Sequence, residues 1–275
     1  MSAYERLPQF PASGQHLVQF YEVDQRVLIA NVGRYLADGL AAGEHTIAVT
    51  TPDRREAFLE HLERAGAQPY EAIATGRLVL LDAAGTLARL LVNGYPDSER
   101  FDRVVGDLVR QTRSLSTTGL RAYGEMVGLL WQAGEYPAAI RLEQLWHRLM
   151  KAVDFSLYCA YPIDIFGRGF EAGLIDALLC AHTHLLSCGP DDALVSALAR
   201  AAREVLYPNV MEFRPDLLDL RAAWPELPRA EELVLWLRSI APERSQQILD
   251  RARDYYRAAR AAEASPAGAK RAASV

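Results

Sequence analysis

Five runs of the chain, HLVQFY (16–21), HTIAVTT (45–51), RLVLLDA (77–83), LRAYGEM (120–126) and FSLYCAYP (155–162), are short and rich in β-forming residues. Most are too continuously apolar to leave one face in water, which suits strands of a parallel sheet covered on both sides. Helical spacing fills the intervals. From Asp24 to Ala41 the apolar positions Val27, Leu28, Val32, Tyr35, Leu36 and Leu40 line one stripe, which stops at Gly43. A second helix is expected from Asp53 to Ala65, a third from Ser98 to Arg113, and a fourth from Pro137 to Lys151, with the proline in the first turn, where its missing N–H costs nothing. Strand and helix in alternation predict an α/β fold with a mainly parallel sheet covered by helices.

After Cys188 the pattern changes. From Gly189 to about 264 only helical spacing is present, interrupted at Pro208, Pro215, Pro225 and Pro228, and the segment from Pro242 carries Ile248, Leu249, Ala252, Tyr255, Tyr256 and Ala259 on one broad stripe. The expected organisation is an N-terminal extension (1–15), an α/β domain (16–188), a helical extension (189–264) and a disordered tail (265–275). The extension is too small and too proline-rich for much core of its own, so it is expected to dock on the first domain and to serve self-association, with a two-fold homodimer as the commonest outcome.

The chain of 275 residues has a formal net charge of −5, and basic and acidic residues are equal in number after residue 188, so there is no electrostatic footprint for direct nucleic-acid binding. No basic start precedes an apolar run at the N-terminus, and no segment approaches the roughly 20 apolar residues that span a bilayer. The three cysteines make no even framework. These features predict a cytoplasmic protein with reduced thiols and no membrane partner.

A strand, turn and helix at the start of an α/β fold commonly form a phosphate-binding unit. Here that turn reads Phe20-Tyr21-Glu22-Val23-Asp24, acidic and aromatic rather than glycine-rich. The only lysines, Lys151 and Lys270, do not follow the G-x-x-x-x-G-K-[ST] spacing, so the lysine that would reach a bound phosphate is absent.

The segments HLVQFYEVDQ, GLAAGEHTIAVTTP, GRLVLLDAAGTLARLLVNGYPDSERF, RAYGEMVGLLW and FSLYCAYP, in that order from about His16 to about Cys188, resemble the MEDS domain. That family is named for the sensory region of a dichloromethane-responsive regulator of methylotrophs and for methanogen relatives. The resemblance implies a RecA/KaiC-like sheet without its phosphate loop. It also implies a role in sensing small molecules, often hydrocarbon derivatives, ahead of a DNA-binding, PAS or histidine-kinase module in transcription regulation or signal transduction. This chain shows no kinase motif and no helix-turn-helix after residue 188, so its output half differs from that layout.

In an open parallel sheet, ligands bind outside the carboxyl ends of the strands. That rule gathers Tyr21, Glu22, Thr50, Thr51, Asp82, Glu125, Met126 and Tyr161, with Trp131 farther along the helix after the fourth strand. Glu22 and Glu125 can act as an acid–base or cation-holding pair, or each can cap the helix after it. Glu125 sits among glycine and apolar residues and needs a partner if buried; Arg121 or a ligand are the candidates. Phe20, Tyr21, Trp131 and Tyr161 are either an aromatic wall for an apolar ligand or ordinary core. In CAHTHLLSC (180–188), Cys180, His184 and Cys188 share a face if the stretch is one helix, which makes Cys180 and His184 the candidate metal pair and turns His182 away. The competing reading is a Cys and Leu face packed on the sheet, and no metal is expected. His16 is expected to cap or face solvent, and His147 to pair with Glu143 on a wet helix face.

No nucleophile elbow, catalytic triad, HExxH or GxGxxG is present, so no catalytic residue and no cofactor is assigned. The expected function is a non-enzymatic sensory or regulatory protein that binds a small apolar or aromatic molecule and signals through its helical extension to a protein partner or a second copy. The alternatives are a degenerate nucleotide-binding, ATPase-like protein and a ligand-free interaction scaffold.

Overall fold

A computed structural model describes residues 14–21, 25–167, 169–186, 191–206 and 227–263. The chain divides into two compact units, Met1–Ile163 with Gly173–Cys188, and Asp164–Ala172 with Gly189–Val275. The second unit therefore takes a short segment out of the stretch that the sequence assigns to the α/β domain.

The first unit is built on a six-stranded, wholly parallel sheet. Its strands are β1 (His16–Tyr21), β2 (His45–Thr50), β3 (Leu78–Asp82), β6 (Leu120–Gly124), β7 (Ser156–Pro162) and β8 (His184–Leu186), in the spatial order β3-β2-β6-β7-β1-β8. The first five coincide closely with the five apolar runs, as strands buried on both faces must. β4 (Leu91–Val92) and β5 (Tyr95–Pro96) form a separate antiparallel hairpin. Register sorts the side chains: Leu17 lies beside Tyr158 and Val18 beside Cys159, so alternate residues of β1 and β7 share a face. Leu17, Tyr21, Tyr123 and Tyr158 enter one core with helices α1 (Arg26–Ala41) and α2 (Pro52–Arg64), where Leu28, Tyr35, Leu36, Phe58 and Leu62 are buried.

Helix α1 stops because Gly43 takes φ +78, a left-handed conformation that any other residue adopts at a cost. Helix α2 starts at Pro52, in the first turn, where no N–H is needed. Short helices α3 (Pro69–Ala74) and α4 (Ala83–Leu90) flank β3. The third expected helix is α5 (Ser98–Phe101), a π-helical turn (Asp102–Gly106) and α6 (Asp107–Leu115) in succession. Helix α7 (Met126–Gln132) packs on β7 and on α8 (Tyr136–Ala152), whose buried face carries Leu142, Glu143, Leu145, Trp146 and Leu149. Helix α9 (Ala172–Ala181) leads to β8.

The second unit is helical: α10 (Asp192–Leu206), α11 (Arg229–Ile240) and α12 (Pro242–Glu263). Leu194, Leu198, Ala201, Leu233, Val234, Leu237, Ile248, Leu249 and Ala252 are buried there. At the edge of the α12 stripe Tyr255 donates to Glu204 (2.5 Å) and Tyr256 to Asp191 (2.6 Å), and the Arg200 guanidinium lies over the Tyr255 ring, 3.8 Å from its centroid. Arg238 donates to the Gly167 carbonyl (2.7 Å) and Arg253 to Asp164 (2.6 Å), which anchors the segment after β7 within this unit. The expected disordered tail, together with Tyr207, Trp224 and three of the four prolines, lies outside the described residues. Among the described residues no helix is long and apolar enough to cross a membrane.

Candidate functional site

The carboxyl edge of the sheet carries a buried ionic network centred on Glu125. Strand β6 ends at Gly124, and the Glu125 N–H bonds the Val49 carbonyl of β2 (3.0 Å), so the carboxylate is delivered beside the β2–α2 junction. There one oxygen accepts from the Thr50 hydroxyl (2.9 Å) and the Tyr123 hydroxyl (2.9 Å), and the other accepts from the Thr51 backbone N–H (3.0 Å). Arg54, in the first turn of α2, closes the set at 2.9 Å from the second oxygen.

This geometry revises two sequence expectations. Glu125 occupies the N-cap position of α7, but its side chain makes no capping bond to that helix; it ties β6 to the start of α2 instead. Its partner is Arg54, not Arg121. Arg121 is the second residue of β6, near the opposite edge, where it donates to Glu44 and to the Tyr35 carbonyl (3.0 Å).

Arg54 also reaches the turn where a phosphate loop would stand. Its guanidinium donates to the Tyr21 hydroxyl (2.9 Å) on one side of that turn and to the Gln25 side chain (2.9 Å) on the other. Burial works against its charge, but the Glu125 carboxylate, aided by Tyr21 and Tyr123, more than offsets this and raises its pKa above the ordinary arginine value. The phenols move in the same direction. Burial, with the adjacent Glu125 charge, pushes Tyr123 well above 10, and burial raises Tyr21 against the pull of Arg54. Both phenols therefore keep their protons at neutral pH: Tyr123 donates to Glu125, and Tyr21 accepts from Arg54. Of the ion pair, Arg54 is the partly accessible member, with its side chain 13% exposed against 2% for Glu125.

Of the residues that strand order gathers, the network joins Tyr21, Thr50, Thr51 and Glu125. Glu22 lies outside the described residues. Asp82 caps α4 by accepting from the Gly85 N–H (2.5 Å). Met126 is fully buried at the start of α7. Trp131 and Tyr161 pack edge to face, with centroids 5.4 Å apart, and the Tyr161 hydroxyl donates to Glu143 rather than to Glu125. Tyr161 and Tyr21 do not form one wall, because the register puts them on opposite faces of the sheet. Cys180 and His184 share no helical face: α9 ends at Ala181 and His184 opens β8, so their separation is that of two elements. Cys188 lies outside the described residues. His16 is buried rather than exposed, and Glu143 is buried rather than on a wet face.

Arg54, Gln25 and Tyr123 are the members of the network that sequence reasoning missed. The available signal was a basic residue in the first turn after β2, where an arginine opposes the helix dipole and so calls for a reason.

Among curated proteins none matches the chain. The family described as MEDS, the methanogen/methylotroph, DcmR sensory domain, matches residues 15–183, which is more than half of the chain and includes every member of the Glu125 network. A RecA-like parallel sheet without a phosphate-binding lysine, matched over that length, places the chain in the MEDS family of sensory domains.

Proposed function

We propose that this protein is a non-enzymatic, cytoplasmic sensor that binds a small molecule at the carboxyl edge of its sheet and reports occupancy through its C-terminal helices. The observation that carries this reading is Arg54, which links the β1–α1 turn, through Tyr21 and Gln25, to Glu125. A ligand that competes for the guanidinium or for the Tyr21 hydroxyl would loosen that turn. Tyr21, Thr51, Arg54 and Glu125 supply the polar contacts, and an apolar or aromatic body is the ligand class that suits the adjoining ring of Tyr21. Family membership supports a sensory role.

Output has a covalent route. Strand β7 runs directly into Asp164–Ala172, the segment that Arg238 and Arg253 hold in the helical unit. The recipient is a signalling protein or a second copy of the chain. The competing reading, a degenerate nucleotide-binding protein, draws on the same guanidinium. Against it stand the missing lysine and the neutralisation of Arg54 by Glu125.

The test is native mass spectrometry of the purified full chain for a co-purifying molecule, followed by thermal-shift screening of small apolar and aromatic compounds. Arg54→Gln and Glu125→Gln should abolish the ligand-induced shift while the protein still unfolds cooperatively. Micromolar ATP binding with magnesium-dependent turnover would replace the sensory reading with the nucleotide one.

A further inference from the structure

A second polar constellation lies on the other face of the sheet, away from the Glu125 network. His16 opens β1, Cys159 is central in β7, Glu143 projects from α8, and His182 follows the last residue of α9. Register brings the first two together: Val18 is level with Cys159, so His16 and Cys159 share a face one step apart on adjacent strands. Cys159 is fully buried, His16 is 2% and Glu143 1% exposed, and the His182 side chain is 1% exposed. His16 Nε2 is 3.4 Å from Cys159 Sγ and 3.4 Å from Glu143 Oε2. His182 Nε2 is 3.4 Å from Glu143 Oε1, and Cys159 Sγ is 3.9 Å from Glu143 Oε2.

The imidazoles are oriented from behind. His16 Nδ1 meets the Ala181 carbonyl at 2.8 Å and His182 Nδ1 meets the Leu178 carbonyl at 2.6 Å. A carbonyl oxygen only accepts, so each Nδ1 carries its proton, and in the neutral ring each Nε2 presents a bare lone pair to the cluster. Two ring nitrogens, a thiol sulfur and a carboxylate thus converge in a buried space. The one hydroxyl that helps is Tyr161, which donates to Glu143 Oε1. His182 Nε2 is buried and makes no hydrogen bond of good geometry. The Cys159 thiol supplies one weak donor, to Glu143 at 3.9 Å, so the buried His182 nitrogen is left unsatisfied, and a cation at the centre would bond every member at once.

We propose that His16, Glu143, Cys159 and His182 bind a single divalent transition-metal ion of the zinc class. The spacing fits. Ligand bonds of about 2.0–2.3 Å in a tetrahedron set donor atoms about 3.3–3.8 Å apart, against the 3.4–3.9 Å contacts found, and all four donor atoms lie within 4.8 Å of one another. Two imidazoles, a thiolate and a carboxylate suit zinc and its neighbours, not calcium or magnesium, which take oxygen ligands. The outer shell is already in place: the Ala181 and Leu178 carbonyls fix the tautomers, and Tyr161 holds the carboxylate. Binding expels the Cys159 thiol proton to solvent. A cleft of about 570 Å³ between α8 and α9 is lined by Glu143, one of the four ligands, with His147, Leu178, Cys180 and Ala181. The metal would also have a consequence for signalling. Cys159 and His182 bracket Asp164–Ala172 in the chain, so one ion would tie together both ends of the segment that belongs to the helical unit. This site is independent of the Glu125 reading, and either can fail alone.

The test uses the untagged full chain, stripped with a chelator and titrated anaerobically with cobalt chloride. The expected result is one cobalt per chain, intense tetrahedral ligand-field bands, and a thiolate-to-cobalt charge-transfer band that zinc sulfate abolishes by displacement. Cys159→Ser should remove the charge-transfer band, and Cys180→Ser should leave it. Tyr161→Phe should weaken binding about 10–100-fold, as loss of an outer-shell partner does. Folded wild-type protein that develops no such bands overturns the proposal and leaves a proton-held His–Glu pair. A charge-transfer band that survives Cys159→Ser also overturns it, since the thiolate would then come from elsewhere.

Discussion

Glu125 offers a sharp test, because its two oxygens have different neighbours. One faces two hydroxyls, Thr50 and Tyr123, which can rotate to accept a bond; the other faces the Thr51 N–H and the Arg54 guanidinium, which cannot. In Glu125→Gln the amide oxygen can take the second position and the NH₂ the first, so every contact survives in neutral form. The loss is then the charge assistance from Arg54, about 1.5–3 kcal/mol. Glu125→Leu removes the acceptor of a buried N–H and two hydroxyls and the carboxylate partner of a half-buried guanidinium that keeps only Tyr21 and Gln25, and should cost about 3–5 kcal/mol, the usual result of removing one member of a buried pair. For a unit of this size each kcal/mol lowers Tm by about 2–4 °C, so Gln should lose about 3–12 °C and Leu about 6–20 °C. Urea denaturation of the full chain, followed by circular dichroism, measures the difference independently. If Gln and Leu destabilise equally, the hydroxyls do not reorient and the assignment of roles to the two oxygens is refuted. If neither destabilises, the network contributes nothing to the fold.

Three further outcomes are expected. Purified protein should hydrolyse no ATP above background, since no lysine stands at the β1–α1 turn; malachite-green phosphate release and calorimetry check this. Gly128→Ala should destabilise the first unit by about 1–3 kcal/mol despite the better helix propensity of alanine. A Cβ there would lie 2.7 Å from the Ala160 carbonyl oxygen of β7, a backbone atom that cannot move aside; a chemical-denaturation midpoint equal to wild type would contradict this packing. Truncation after Cys188 should change the mass measured by light scattering if the helical extension mediates self-association, and an unchanged oligomeric state would assign that extension to an external partner alone.

Five of the six strands were legible in the sequence because their signal is local, whereas β8 falls in a stretch whose spacing reads as helical. A strand buried on both faces must be apolar at nearly every position, and five such runs, with helical spacing between them, leave little but a covered parallel sheet. The absence of a phosphate-binding lysine is local too, since that chemistry needs a fixed spacing. The tight β4–β5 hairpin has a local signal as well: Asn93-Gly94, with φ +51 and +79, is the dipeptide that favours such a turn. The partners were another matter. That Glu125 would meet Arg54 and not Arg121 follows from which end of β6 lies beside the start of α2, and only strand order and register fix that. The His16, Glu143, Cys159 and His182 constellation was less visible still. Spacing pointed to Cys180 and His184 on one helix, but α9 ends at Ala181, β8 begins at His184, and the break turns His182 inward. Secondary structure follows from neighbours along the chain, whereas a buried polar site is made by groups that meet only when four separate elements close a core over them, and it is the cost of leaving those groups unpaired that makes the meeting specific.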